Sequence, residues 1–267
     1  MQIDPSGIAK TRDLQEYIFP TGSPEDYWWS RSRTHLRVTW VAPKAIDGPL
    51  PGMTPHRWNG QREIWVKENQ EWLVLWRQGF SLSLNLKEGK AEARISREND
   101  WQSVLRILYF FGFLKERGLL LHASSLVHRG MAYVFPGASG AGKTTIVRLS
   151  PQLPLLTDEI TAVQLTENSR VLGHGTPFFG DLGQPGEKLT VPVKGLYFPV
   201  KAEENRIAPL TLHETARHLI PCVCAYTTNV ERLREIFDLS HQLAERLPGY
   251  LLYFRPEPEF WRAIDGS

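Results

Sequence analysis

Over the first third of the chain apolar and polar residues alternate in short runs, the period-2 pattern of half-buried strands. Such runs occupy 34–41, 63–66, 71–76, 80–86 and 91–95. Turn signals at Gln78-Gly79 and Gly89 separate the later ones, which predicts an antiparallel meander. Residues 1–25, carrying Pro5, Pro20, Gly22 and Pro24, read as an arm, and the Pro- and Gly-rich 43–55 as loop. The period then changes. Val104, Leu105, Leu108, Phe111 and Leu114 share one face of a helix predicted over 101–117, with Gly118 as its stop. A short apolar run at 133–135 predicts a buried strand, 155–159 a second that ends in two acids, and 193–200 a third. Residues 160–165 extend the second or begin a hairpin. Thr211 followed by Glu214 is a capping box, 229–247 a long amphipathic helix, 250–254 a strand and 259–264 a closing helical turn.

One stretch carries chemistry. Gly137-Ala138-Ser139-Gly140-Ala141-Gly142-Lys143-Thr144 fits G-x-x-x-x-G-K-[ST] at every fixed position, between a strand-like and a helix-like run. Small residues there let backbone N–H groups wrap a phosphate, and the helix that follows adds its positive end. Lys143 is positioned for the outer phosphates and the Thr144 hydroxyl for Mg²⁺, while Thr145 continues the helix. That helix has room only for 144–150 before Pro151 and Pro154 forbid it. A parallel strand after so short a crossover would bring Asp158 and Glu159 beside the phosphate site. An acid there binds a metal or takes a proton from an attacking hydroxyl.

The loop followed closely by an acidic pair resembles the catalytic domain of HPr kinase/phosphorylase, a bacterial protein-serine kinase. The resemblance implies an α/β fold: a P-loop, phosphoenolpyruvate carboxykinase-like core with an N-terminal antiparallel β subdomain. It covers about 118–206. It implies that His122, in Leu119-Leu-Leu-His122-Ala-Ser-Ser, lies near the transferred phosphate, that Asp158 is the acid/base residue, and that Arg206 meets the phosphates. Glu159 stands where the family has a second Asp, and the family's longer arginine-containing signature and regulatory domain are missing. The family assembles as oligomers, which leaves a homo-oligomer open. Relatives of this kind occur in peptide-modification gene clusters.

Composition narrows the partners. The 267 residues carry a net charge of +2 and no Lys/Arg cluster, which gives no argument for nucleic acid. The most apolar run, 107–114, is shorter than the ~20 residues of a membrane helix, and the N-terminus lacks a signal peptide's basic and apolar regions. A cytoplasmic protein without membrane partners is expected. Eight of the nine tryptophans lie between Trp28 and Trp101, and the simpler reading makes them the core of a β subdomain over 1–100, ahead of a catalytic domain over 101–267. Cys222 and Cys224 read as small buried thiols. The glycine-rich, aromatic 173–180 segment reads equally as a closing loop or a structural turn.

These readings converge on an ATP- and Mg²⁺-dependent kinase. It would transfer the γ-phosphate to a hydroxyl, serine foremost, of a peptide, protein or small molecule, with Gly137–Thr145 holding nucleotide and Thr144 and Glu159 the metal. The alternative is a nucleotide-gated binding module with little transferase activity. A transport ATPase is disfavoured because no Leu-Ser-Gly-Gly-Gln signature is present. The acceptor, and whether the reverse phosphorolytic reaction occurs, stay open.

Overall fold

The computed structural model describes residues 35–40, 48–56, 63–96 and 98–266. The 1–25 arm, the first part of the 43–55 loop, and Trp28, Trp29 and Trp58 lie outside them, as do the ends of the strand expected at 34–41. By residue contacts the chain forms two compact units, 1–112 with 225–233, and 113–224 with 234–267.

The first unit holds a six-stranded sheet of β1 (His35–Trp40), β2 (Thr54–His56), β3 (Ile64–Glu68), β4 (Trp72–Arg77), β5 (Phe80–Asn85) and β6 (Lys90–Ile95). Its order is β1-β6-β5-β4-β3-β2, antiparallel throughout except that β1 runs parallel to β6. The expected meander is there. Its core differs from the tryptophan reading, because alternation sends neighbouring side chains to opposite faces. The buried face is Ile64, Val66, Leu73, Leu75, Leu82 and Ala93, whereas Trp65 faces its cross-strand partner Trp76 on the other face and Trp72 is 43% exposed. Trp101 is buried, on helix α1 (Glu98–Lys115).

Glu68, at the end of β3, anchors residues 225–233 to this sheet. Its carboxylate, only 1% exposed, accepts from Thr227 Oγ1 (2.7 Å), Thr228 N (2.7 Å), Asn229 N (3.1 Å) and an Arg232 guanidinium nitrogen (2.6 Å). Arg232 also donates to the Asn69 and Gln70 carbonyls.

The second unit is built on β7 (Gly118–His128), β8 (Met131–Pro136), β9 (Leu155–Thr157), β10 (Ile160–Leu165), β11 (Val171–His174), β12 (Thr190–Lys201), β13 (Arg206–Leu210) and β14 (Gly249–Phe254). The order is β11-β10-β7-β8-β12-β14-β13, with β9 paired to β7 and β11 also paired to β12. Strands β11, β10, β7, β8 and β12 therefore form a closed circuit of pairings. The helices are α2 (Lys143–Arg148), α3 (Leu212–Leu219) with the Thr211–Glu214 capping box in place, α4 (Val230–Arg246) and α5 (Phe260–Asp265). Among the described residues no helix is long and apolar enough to cross a membrane.

This corrects the expected α/β, phosphoenolpyruvate carboxykinase-like core. The chain is β-rich, two sheets with few helices. In the second sheet β7 pairs antiparallel with β8, β9 and β10, as does β10 with β11, and parallel pairing is confined to β8–β12 and β12–β14. Where an α/β unit needs a crossover helix of useful length, Pro151 and Pro154 limit α2 to six residues.

Candidate functional site

The site is organised by the middle of β7. The His122 carbonyl accepts from Gly137 N (3.2 Å), and Ala123 N donates to the Glu159 carbonyl (3.1 Å). Strand β8 lies on one side of β7 and β9 on the other. The same two residues thus carry the glycine-rich loop leaving β8 on one edge and the acids leaving β9 on the other. The expected neighbourhood of loop and acids exists, with β7 standing between their strands.

The loop turns tightly because two glycines adopt left-handed backbone, Gly140 at φ 80° and Gly142 at φ 107°. A Cβ on Gly142 would lie 2.6 Å from the Phe254 ring, so β14 closes the loop from behind. Lys143 is buried, and its ammonium donates to the Gly137 and Ala138 carbonyls at 2.9 Å each. Burial pushes its pKa below the ordinary value, opposed by Cys222, Glu159 and Cys224. The Ser124 hydroxyl donates to the Lys143 carbonyl, and Trp261 Nε1 donates to Ser150 Oγ (2.7 Å), which fixes the far end of α2.

A cavity of 340 Å³ opens over this loop. Ser139, Gly140, Gly142, Lys143, Thr144 and Thr145 form its floor, and His122, Asp158 and Glu159 one wall. Gly137, Ala138 and Ala141 stay in the loop but do not line the cavity. Arg206 is not brought there. It lies on β13, beyond β14, with its guanidinium 3.6 Å over the Tyr253 ring and bonded to Glu204. The cations lining the cavity with Lys143 are Arg148 and Lys201, and Gly180 and Asp181 complete the rim. Arg148 had a signal in the sequence, four residues after Thr144 on one helix face. Lys201 and Asp181 had none, because each depends on a fold-level neighbour.

Asp158 explains how Asp181 arrives. It is 3% exposed, and its two carboxylate oxygens accept from Gly180 N (2.9 Å) and Leu182 N (3.0 Å). Thr157 Oγ1 donates to the Phe178 carbonyl and Thr176 Oγ1 to that of Ile160, so the 173–182 segment is anchored along its length. Asp158→Asn puts an amide where one backbone N–H needs an acceptor, which costs ~1–3 kcal/mol. Amide exchange at 180–182 is expected to quicken in that variant, and unchanged exchange there would show that the carboxylate is not the tether.

The thiols lie beside Lys143. Cys222 and Cys224 are buried thiols outside any disulfide, as expected. Cys224 N donates to the Leu120 carbonyl (2.8 Å), which lays 222–224 along β7. Burial pushes the Cys222 thiol from 9.0 up to about 11, against the pull of Lys143. The folded chain therefore keeps a proton that the unfolded chain releases, so stability is full below pH 9.0 and falls towards pH 11. Alkylation of Cys222 at pH 8 is expected to be ~100-fold slower than for an ordinary thiol, and Cys222→Ala to flatten the alkaline loss of stability. An equally steep loss in that variant would assign it to other groups.

The residues suit a magnesium ion. Among the described residues no group of three or more His, Cys, Asp or Glu is arranged to hold a metal. Mg²⁺ needs no such cage, since it takes one or two protein oxygens with phosphates and water. Thr144 and Glu159 line the same cavity and would be those oxygens.

Comparison with known proteins sets the family. The model described as "SynChlorMet cassette protein ScmC" matches residues 92–266, more than half of the chain. The chain belongs to the ScmC family. Two curated relatives are named lipid A acyltransferase PagP. The protein from Pectobacterium atrosepticum is 30% identical over 90 residues, 33% of this chain and 34% of its own. That from Pectobacterium carotovorum subsp. carotovorum is 30% identical over 87 residues, 32% and 33%. The chain thus spans about a third of the length of these relatives.

These findings correct the resemblance drawn from the loop. The matching family is ScmC and the curated relatives are acyltransferases, so membership of the HPr kinase family, the hydroxyl-directed kinase activity and the nucleotide-gated module do not stand. The physical reason is that a glycine-rich turn with a lysine specifies a local anion-sized backbone nest. It carries no information about the family around it.

Proposed function

We propose that the cavity over Gly137–Thr145 binds the phosphates of a nucleotide, ATP together with Mg²⁺. The observation that carries this reading is Lys143. A buried ammonium is costly unless charge or hydrogen bonds compensate it, and here two loop carbonyls do so in a nest whose open side is the cavity. A phosphate entering there would supply full negative charge to the same group. Lys143 and the loop amides hold the anion, Thr144 and Glu159 hold the Mg²⁺, and the metal neutralises phosphate charge. His122 stands at the same wall, within reach of the outer end of the ligand.

The likeness to two acyltransferases spans a third of each chain and brings no second reading. This cavity is lined by charged and polar groups rather than by an apolar wall for an acyl chain. Thermal unfolding tests the proposal. Mg²⁺-ATP at a hundred times its Kd is expected to add about 2.7 kcal/mol of stability and raise Tm by several degrees. An unchanged Tm at millimolar Mg²⁺-ATP would contradict it.

A further inference from the structure

The cavity is polarised. On the β9 side of β7 stand Asp158 and Glu159, with Asp181 held close by the Asp158 tether. On the opposite side of the loop is Lys201, at the carboxyl end of β12, which runs parallel to β8 with Leu196 beside Val134. Pro199 of that strand lies against Gly137, so Lys201 emerges just past the start of the loop. Arg148 lies one helical turn beyond Thr144 on the same face of α2. Both side chains are exposed, and among the described residues neither forms an ion pair.

We propose that Arg148 and Lys201 form the subsite for the nucleoside end of the ligand and set the preference for a nucleoside triphosphate over bare polyphosphate. This rests on the nucleotide reading and adds the ligand's direction to it. Outer phosphates and Mg²⁺ lie towards Glu159, and the chain of phosphates passes Thr144 and Thr145 towards Arg148. A guanidinium is planar and weakly hydrated, so it stacks on the face of a base. An ammonium is a compact point charge, suited to the phosphate nearest the ribose. Inorganic tripolyphosphate offers the floor of the cavity the same charge but gives Arg148 no ring to cover.

The test is a pair of calorimetric titrations of the intact protein, with Mg²⁺-ATP and with Mg²⁺-tripolyphosphate. The wild type is expected to prefer ATP by about fivefold. In Arg148→Gln/Lys201→Gln, ATP binding should weaken about fivefold, the worth of one cation–π contact at an exposed site, and tripolyphosphate binding by under about twofold, as for screened surface charges. Arg148→Lys keeps the charge without the plane and is expected to lose most of the ATP preference. Parallel losses for both ligands, or none for either, would overturn the subsite while leaving the nucleotide reading in place. A wild type that binds neither ligand would overturn both.

Discussion

Lys143→Met is expected to weaken Mg²⁺-ATP binding by roughly 30- to 1000-fold, since truncating one partner of a buried, hydrogen-bonded charge pair costs ~2–4 kcal/mol. The variant should fold. The native ammonium gains partial compensation from two carbonyls and from the nearby Glu159, Cys222 and Cys224, yet burial still pushes its pKa below the ordinary 10.5. Its charged form is therefore a burden on the fold at neutral pH, relieved only as pH rises towards deprotonation. Methionine keeps the volume and removes the burden, so the ligand-free Tm should hold or rise while affinity falls. Equal affinity in variant and wild type, measured by calorimetry, would take Lys143 out of the site.

Glu68→Ala should have the largest effect on stability, ~3–5 kcal/mol, the usual cost of breaking a buried ion pair by removing one partner. The carboxylate is the common acceptor for Thr227, Thr228, Asn229 and Arg232, and its loss leaves the Arg232 guanidinium, 18% exposed, without its countercharge. A typical domain has only about 5–15 kcal/mol in total, so the variant should unfold at markedly lower denaturant. The first unit should respond before the second. A loss under ~1 kcal/mol would mean that water replaces the carboxylate at little cost.

Local structure was legible where one segment decides it. The meander, helix α1, the Thr211 cap and helix α4 follow from periodicity and capping residues within a few positions of each other. The fold class was not, because it depends on pairing direction. Nothing in Gly118–His128 says that this apolar run stands between the loop and the acids, pairing antiparallel with β8, β9 and β10. The tryptophans misled for a related reason: hydrophobicity says that a ring tends to be buried, and only strand register says on which face. At the site, the loop and both acids could be read from their spacing. The anchoring of 180–182 through Asp158 could not, since its partners are 22 and 24 residues away. The motif also suggested a family that comparison of the wider chain replaced.

Amide hydrogen exchange with and without Mg²⁺-ATP tests most directly where and whether the nucleotide binds. Protection is expected in peptides covering 137–148, with a smaller effect at 178–183, where the Asp158 tether holds the rim of the cavity. Protection confined to other segments, or no change at saturating nucleotide, would contradict the assignment of this cavity.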